Sequence, residues 1–136
     1  MSDKDRIDLA KYRMEKAEQL LYDAQLLLQA ERYASSNNRA YYSIFTAMRA
    51  VLALDKVEFR KHSGNIQYFL KEYVKTGIFE ASYSEIILSA SKIRNDSDYN
   101  DFYVLAIEDA VQQVGNADIF LAKVKDYIRE REEQQG

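Results

Sequence analysis

The chain has no cysteine, no proline and no tryptophan, and its 136 residues include one histidine and four glycines. Without cysteine there is no disulfide, no thiolate zinc site and no cysteine nucleophile, so stability has to come from packing. The lone His62 leaves a histidine-based metal cluster without partners, and neither a metal nor a cofactor is expected. With glycine confined to Gly64, Gly77, Gly115 and Gly136, little interrupts helix formation. No apolar run approaches the roughly 18 residues of a spanning helix. The opening Met-Ser-Asp-Lys-Asp-Arg leads into a charged amphipathic stretch, not a short apolar secretory segment, so a cytoplasmic location away from membranes is expected. Lys and Arg number 19 against 22 Asp and Glu, a formal charge of -3. That balance argues against strong sequence-independent attraction to nucleic-acid phosphates, and DNA is not an expected partner, although a local basic patch is compatible with it.

What is present points to a folded helical protein. Hydrophobic residues make up 47% and charged residues 30%, the balance of a globular chain. Two separate cores of this size would each bury too little surface, so one domain over 1–136 is expected, with its core at about 6–129 and a charged, frayed tail at 130–136. Ala17, Leu20, Leu21, Ala24, Leu27 and Leu28 recur at spacings of three and four and mark a long first helix to about Ala30. Tyr33-Ala34-Ser35-Ser36-Asn37 reads as a short turn with Ser and Asn caps. Ala40, Ile44, Ala47, Met48, Val51 and Leu52 then carry a second helix to about Leu54. Charged Asp55 to Lys61 breaks the pattern. Ile66, Phe69, Leu70 and Tyr73 make a shorter third helix, with Ser63 a candidate cap and Lys75-Thr76-Gly77 a stop. Ile86, Ile87, Ala90 and Ile93 carry a fourth helix towards Asp98, with a polar break at Asn100-Asp101. Ile107, Val111, Val114, Leu121, Val124 and Ile128 carry a last one of about six turns. Gly115 inside it is a candidate for a close helix crossing. The fold class is therefore all-α, an up-and-down bundle of four to five helices.

No phosphate-binding loop, dinucleotide fingerprint, paired-histidine zinc helix or serine elbow occurs. The densest polar cluster is Arg94-Asn95-Asp96-Ser97-Asp98-Tyr99 at the end of the fourth helix. Arg94 lies one turn beyond Ala90 and two beyond Ile87, so its stem should follow the inward side while its guanidinium reaches a cleft, where it suits phosphate or carboxylate. The competing reading is an Arg94–Asp98 pair closing the helix. A second cluster is Asn38-Arg39-Ala40-Tyr41-Tyr42, in which Arg39 and Tyr42 share a face and could support the first. The competing reading has Arg39 solvated and the tyrosines packed on the first helix. His62 is a candidate proton carrier, or else a cap or packed loop residue.

Taken in order, Asn38-Arg39-Ala40-Tyr41-Tyr42, Lys61-His62-Ser63-Gly64, Val74-Lys75-Thr76-Gly77 and Arg94 leading to Asp98-Tyr99 resemble small, stand-alone HEPN proteins over about Tyr12 to Ile128. The resemblance implies a four-to-five-helix bundle, commonly a homodimer. It also implies a frequent pairing with a minimal nucleotidyltransferase in a two-component or toxin-antitoxin arrangement. Many members are metal-independent endoribonucleases whose motif is an arginine, usually a polar residue, then a histidine after four to six intervening residues. Arg94 and Asn95 match its opening, but Tyr99 stands at the histidine's place and no histidine follows. A phenol with a reference pKa near 10 is a poor substitute for imidazole near 6.5. The family's adenylylated tyrosine, two positions beyond the histidine, corresponds here to Asp101, with Tyr99 as the alternative acceptor.

The expected function is thus a module with a degenerate nuclease motif that binds a nucleotide, RNA or a partner nucleotidyltransferase through Arg39, Tyr42, Arg94, Asn95, Asp98 and Tyr99. The first alternative is a homodimeric endoribonuclease toxin with Arg94 catalytic and Tyr99 or His62 replacing the absent histidine. It requires His62 to come close enough to Arg94 to share one phosphate. The second alternative is a bundle that only mediates protein association.

Overall fold

The computed structural model describes residues 2–99 and 106–135, the side chains of 97–99 excepted. Among the described residues five α-helices follow in order: α1 (Asp3–Gln29), α2 (Tyr33–Leu54), α3 (His62–Phe69), α4 (Ser82–Tyr99) and α5 (Ile107–Gln135), with a π-helical turn (Leu70–Val74) continuing α3. No strand occurs among the described residues, so the bundle is all-α as the periodicity implied.

The start of α1 is set by Ser2, whose hydroxyl accepts from the Asp5 amide at 3.1 Å, and by Asp3 and Asp5, which suit the positive end of the helix dipole. Its buried residues Ile7, Ala10, Met14, Ala17, Leu21 and Ala24 alternate at three and four, with alanine at every seventh place. Alanine keeps the two backbones close, and α1 packs most extensively on α2. Fourteen of the 22 residues of α2 are buried, which makes α2 the central helix that α1, α4 and α5 surround. An aromatic cluster closes the far side, where Phe69 meets Phe79 and Phe120 at ring separations of 5.1 and 5.8 Å.

The turn after α1 falls earlier than the sequence suggested. The Arg32 amide donates to the Leu27 carbonyl and the Glu31 amide to that of Leu28, with Glu31 at φ 61. That is a Schellman ending built on glutamate, so Tyr33–Asn37 is already helical. Ser36 is buried and its hydroxyl donates to the Ala24 carbonyl at 2.7 Å, pinning α2 to α1 and not capping it. The same device ends α2: Val57 donates to Leu52 and Lys56 to Ala53, with Lys56 at φ 59. Ser63 is no cap either, because Lys61 occupies that place and α3 begins at His62.

The charged tail is helical to Gln135, where the sequence suggested fraying. Arg131 anchors it by donating to Asp55 at 2.8 Å and to the Tyr127 hydroxyl, also 2.8 Å, while Lys11 pairs with Glu132. Gly115 is exposed, and a Cβ there would meet nothing within 4 Å, so it marks no helix crossing. The polar break at Asn100-Asp101 lies outside the described residues.

Candidate functional site

The centre of the site is a side of α2 on which Tyr41, Phe45 and Arg49 lie one helical turn apart, with Tyr42 next to Tyr41. Two other elements converge on it. The first turn of α3 places the His62 ring on Phe45 at a centroid separation of 4.0 Å, nearly parallel at 26°. His62 Nδ1 lies 3.0 Å from the Tyr41 hydroxyl, and the edge of Tyr42 meets the imidazole at 5.9 Å. From α4, Arg94 lays its guanidinium carbon 5.3 Å from the Tyr41 ring centre and 5.9 Å from that of Tyr42, and Nη2 donates to the Tyr42 hydroxyl at 3.4 Å. Arg94 and His62 therefore rest on the same pair of tyrosines, 32 positions apart in the chain but side by side in space.

An open cleft of about 390 Å³ lies over them, lined by Arg60, Lys61, His62, Ser63, Ser91, Arg94 and Asn95 as well as Tyr41 and Ile66. Among the described residues no carboxylate lines it. Three cations and two serine hydroxyls surround one imidazole, a charge arrangement that would suit an anion such as phosphate. The hollow between α1 and α5, of about 260 Å³, mixes Lys11, Lys125 and Arg129 with Glu15, Glu18 and Glu132 and has no such single sign.

Burial pushes the His62 pKa below its ordinary value, and the nearby charges of Arg94 and Arg49 push it the same way. The imidazole is accordingly neutral at neutral pH and able to take a proton. Tyr41 is buried, and its hydroxyl holds one ring nitrogen, fixing the orientation of the other.

Of the residues singled out from sequence, Tyr42, His62, Arg94 and Asn95 gather here. Arg39 does not: it is exposed on α2 and does not line this cleft. The side chains of Asp98 and Tyr99 lie outside the described set, as does Asp101, so the Arg94–Asp98 pair and the acceptor role of Tyr99 are not among the described contacts. Sequence reasoning missed Tyr41, Phe45, Arg60 and Lys61. The signal was present in Lys61-His62-Ser63-Gly64, a polar run at a helix start, but nothing local said that it faces α2. Three or more acidic, histidine or cysteine side chains able to hold a metal ion do not cluster among the described residues, and no described helix is long and apolar enough to cross a membrane.

The described residues thus form an all-helical bundle in which Arg94 and His62 meet at one basic cleft. The model of the HEPN domain matches residues 10–127, and the chain belongs to the HEPN family. It is 33% identical over 115 residues to "Putative toxin MJ0142" of Methanocaldococcus jannaschii, covering 85% of this chain and 78% of that protein. A UPF0332 protein of Thermotoga maritima is 31% identical over 130 residues, 96% of this chain and 97% of the relative. "Putative toxin MJ0605" of M. jannaschii is 30% identical over 117 residues, 86% and 87% of the two chains.

Proposed function

We propose that this protein is a metal-independent endoribonuclease of toxin type, in which Arg94 holds the scissile phosphate and His62 takes over the part of the histidine missing after Arg94. The observation that carries the reading is the convergence of His62 and Arg94 on Tyr41 and Tyr42 at one basic cleft, lined by no carboxylate among the described residues. This reverses the order of preference drawn from the sequence, where Tyr99 in the motif's last place favoured a binding module.

In the proposed step, His62 Nδ1–H donates to the Tyr41 hydroxyl, leaving the Nε2 lone pair to remove the proton of a ribose 2′-hydroxyl. The 2′-oxygen attacks phosphorus, the bond to the 5′-oxygen breaks, the 5′-oxygen leaves with a proton from water, and the hydroxide so formed takes the proton back from His62. The products are a 2′,3′-cyclic phosphate and a 5′-hydroxyl. Arg94 and Lys61 neutralise the charge that builds on the phosphorane oxygens, the largest contribution such a site makes. The protein acts in the cytoplasm as a homodimer with a minimal nucleotidyltransferase as its antagonist. The two relatives whose names read "Putative toxin" support the toxin part of this reading.

A second reading keeps the same cleft as a nucleotide- or partner-binding site without chemistry, favoured by Tyr99 at the motif's histidine position. RNA incubated in chelator with wild type, His62→Ala, Arg94→Ala and Tyr99→Phe separates the two. The nuclease reading expects cyclic-phosphate ends from wild type and Tyr99→Phe and a loss of at least about 100-fold in the His62 and Arg94 variants. Cleavage by His62→Ala at the wild-type rate would overturn it. No cleavage by any of the four would leave the binding module.

A further inference from the structure

Beside the phosphate cleft lies a second one of about 450 Å³, lined by Phe45, Arg49, Glu58, Phe59, Arg60, His62 and Asn65. It shares Arg60 and His62 with the first, so the two clefts adjoin across these side chains. We propose that this second cleft is the subsite for the nucleotide next to the scissile phosphate, with Phe59 as the platform on which its base stacks and Arg60 as the contact to its phosphate. The proposal rests on the nuclease reading for the direction of the strand, and it specifies a single strand with unstacked bases as the substrate.

Four features of the second cleft support a base there and not another phosphate. Its size falls in the range of about 300–1,000 Å³ typical of small-ligand sites. Phe59 is 39% exposed, an unusual position for a phenylalanine in a chain that buries Phe69, Phe79 and Phe120 completely. Its ring is nonetheless held in place. A Cβ on Gly64 would come within 3.2–3.3 Å of Phe59 Cβ, Cγ and Cδ1, so the bare backbone of α3 is what seats the side chain. Asn65 Nδ2 donates to the carbonyls of Phe59 and Lys61 at 3.1 and 2.8 Å, which clamps the turn carrying Phe59, Arg60 and Lys61.

Charge divides the two clefts in the same sense. Glu58, which lines this cleft and not the first, accepts from Arg49 at 2.7 Å and Arg13 at 2.9 Å, so its one carboxylate offsets part of their charge on this side. Arg60 and Lys61, nearer the imidazole, take part in no ion pair among the described residues. The backbone of a bound strand is therefore drawn to Arg60, Lys61 and Arg94, while an uncharged ring is the better occupant between Phe59 and Glu58. Stacking of one base on an aromatic side chain is worth about 1–3 kcal/mol, or roughly 5- to 150-fold in affinity.

The test is binding of a fully 2′-O-methylated single-stranded hexanucleotide, which lacks the attacking hydroxyl, measured by fluorescence anisotropy at one fixed salt concentration, with competition by inorganic trimetaphosphate. Phe59→Ala and Phe59→Leu should each weaken the hexanucleotide by about tenfold, Phe59→Trp should restore it, and all three should leave the trimetaphosphate affinity unchanged. Leucine keeps apolar bulk against Gly64, so a merely structural role would leave Phe59→Leu like wild type and would overturn the proposal. Arg94→Ala should weaken both ligands. Loss in Arg94→Ala with none in the Phe59 variants removes the second subsite and leaves the phosphate cleft standing. Loss in the Phe59 variants with none in Arg94→Ala keeps the aromatic platform and removes the parent reading. No binding of the hexanucleotide by wild type removes both.

Discussion

Replacing Asp55 by alanine should be among the most damaging single changes outside the apolar core. Asp55 caps α2 and accepts from two elements, the π-helical turn through the Tyr73 hydroxyl and α5 through Arg131 Nη2 at 2.8 Å. Burial pushes its carboxyl up, but the hydrogen bonds from Arg131 and Tyr73 outweigh this and hold it below the usual carboxylate range. Burial and the bond to Asp55 together raise the Tyr73 pKa well above that of a free phenol. Tyr73 is only 3% exposed, so removing the carboxylate strands a buried hydroxyl, at about 1–3 kcal/mol. The Asp55 side chain is 36% exposed, so solvent screens the ion pair and Arg131 adds only about 0.5–1 kcal/mol. The sum is about 2–4 kcal/mol, and at about 3–5 °C per kcal/mol the melting temperature should fall by about 10 °C. Asparagine keeps an acceptor for Tyr73 and should cost about 1 kcal/mol.

Urea unfolding followed by circular dichroism measures these values, and a cycle with Tyr73→Phe tests their origin. With the phenol hydroxyl already gone, Asp55→Ala should cost at least about 1 kcal/mol less than in wild type. Costs that add within about 0.3 kcal/mol would refute the coupling. The pH dependence has a definite sign. Because the folded carboxyl titrates below its unfolded value of about 3.9, its contribution is present above that pH and is lost as pH falls through the folded value. The gap between wild type and Asp55→Asn should therefore close only in strong acid, below about pH 4.

Other outcomes follow from single positions. Gly115→Ala, in an exposed helix interior with open space for a methyl, should stabilise by about 0.5–1 kcal/mol in the same urea assay. Gly77→Ala, at φ +89, should destabilise by about 1–2 kcal/mol despite equally open surroundings, which separates backbone strain from crowding. If His62 is the base, cleavage should rise with pH and level off below pH about 6.5, because burial and the charges of Arg94 and Arg49 lower its pKa. A rising limb above pH 7 would exclude the imidazole from that role.

How much of this was visible beforehand depends on the range of the interaction concerned. The stripes of α1, α2 and α5 were legible because a helix repeats its buried side every three or four residues, as Ile7, Ala10, Met14, Ala17, Leu21 and Ala24 do. Helix ends were less so. Glutamate at 31 and lysine at 56 adopt the left-handed conformation that glycine usually marks, and two helices end there with no local sign. The helical tail was not legible because Arg131 and Glu132 look like solvated charge until Asp55 and Lys11 lie opposite them.

The sequence by itself determined the class of fold, the absence of thiol chemistry and the residue types available for chemistry, since composition and short-range periodicity carry those properties. It also contained the family's ordered motifs, which the match over residues 10–127 reflects. Only the tertiary structure decided that His62 belongs with Arg94 and Arg39 does not. Each residue's helical phase can be read along its own helix, but which face of α2 receives α3 and α4 depends on how three helices pack, and no spacing along the chain encodes that contact.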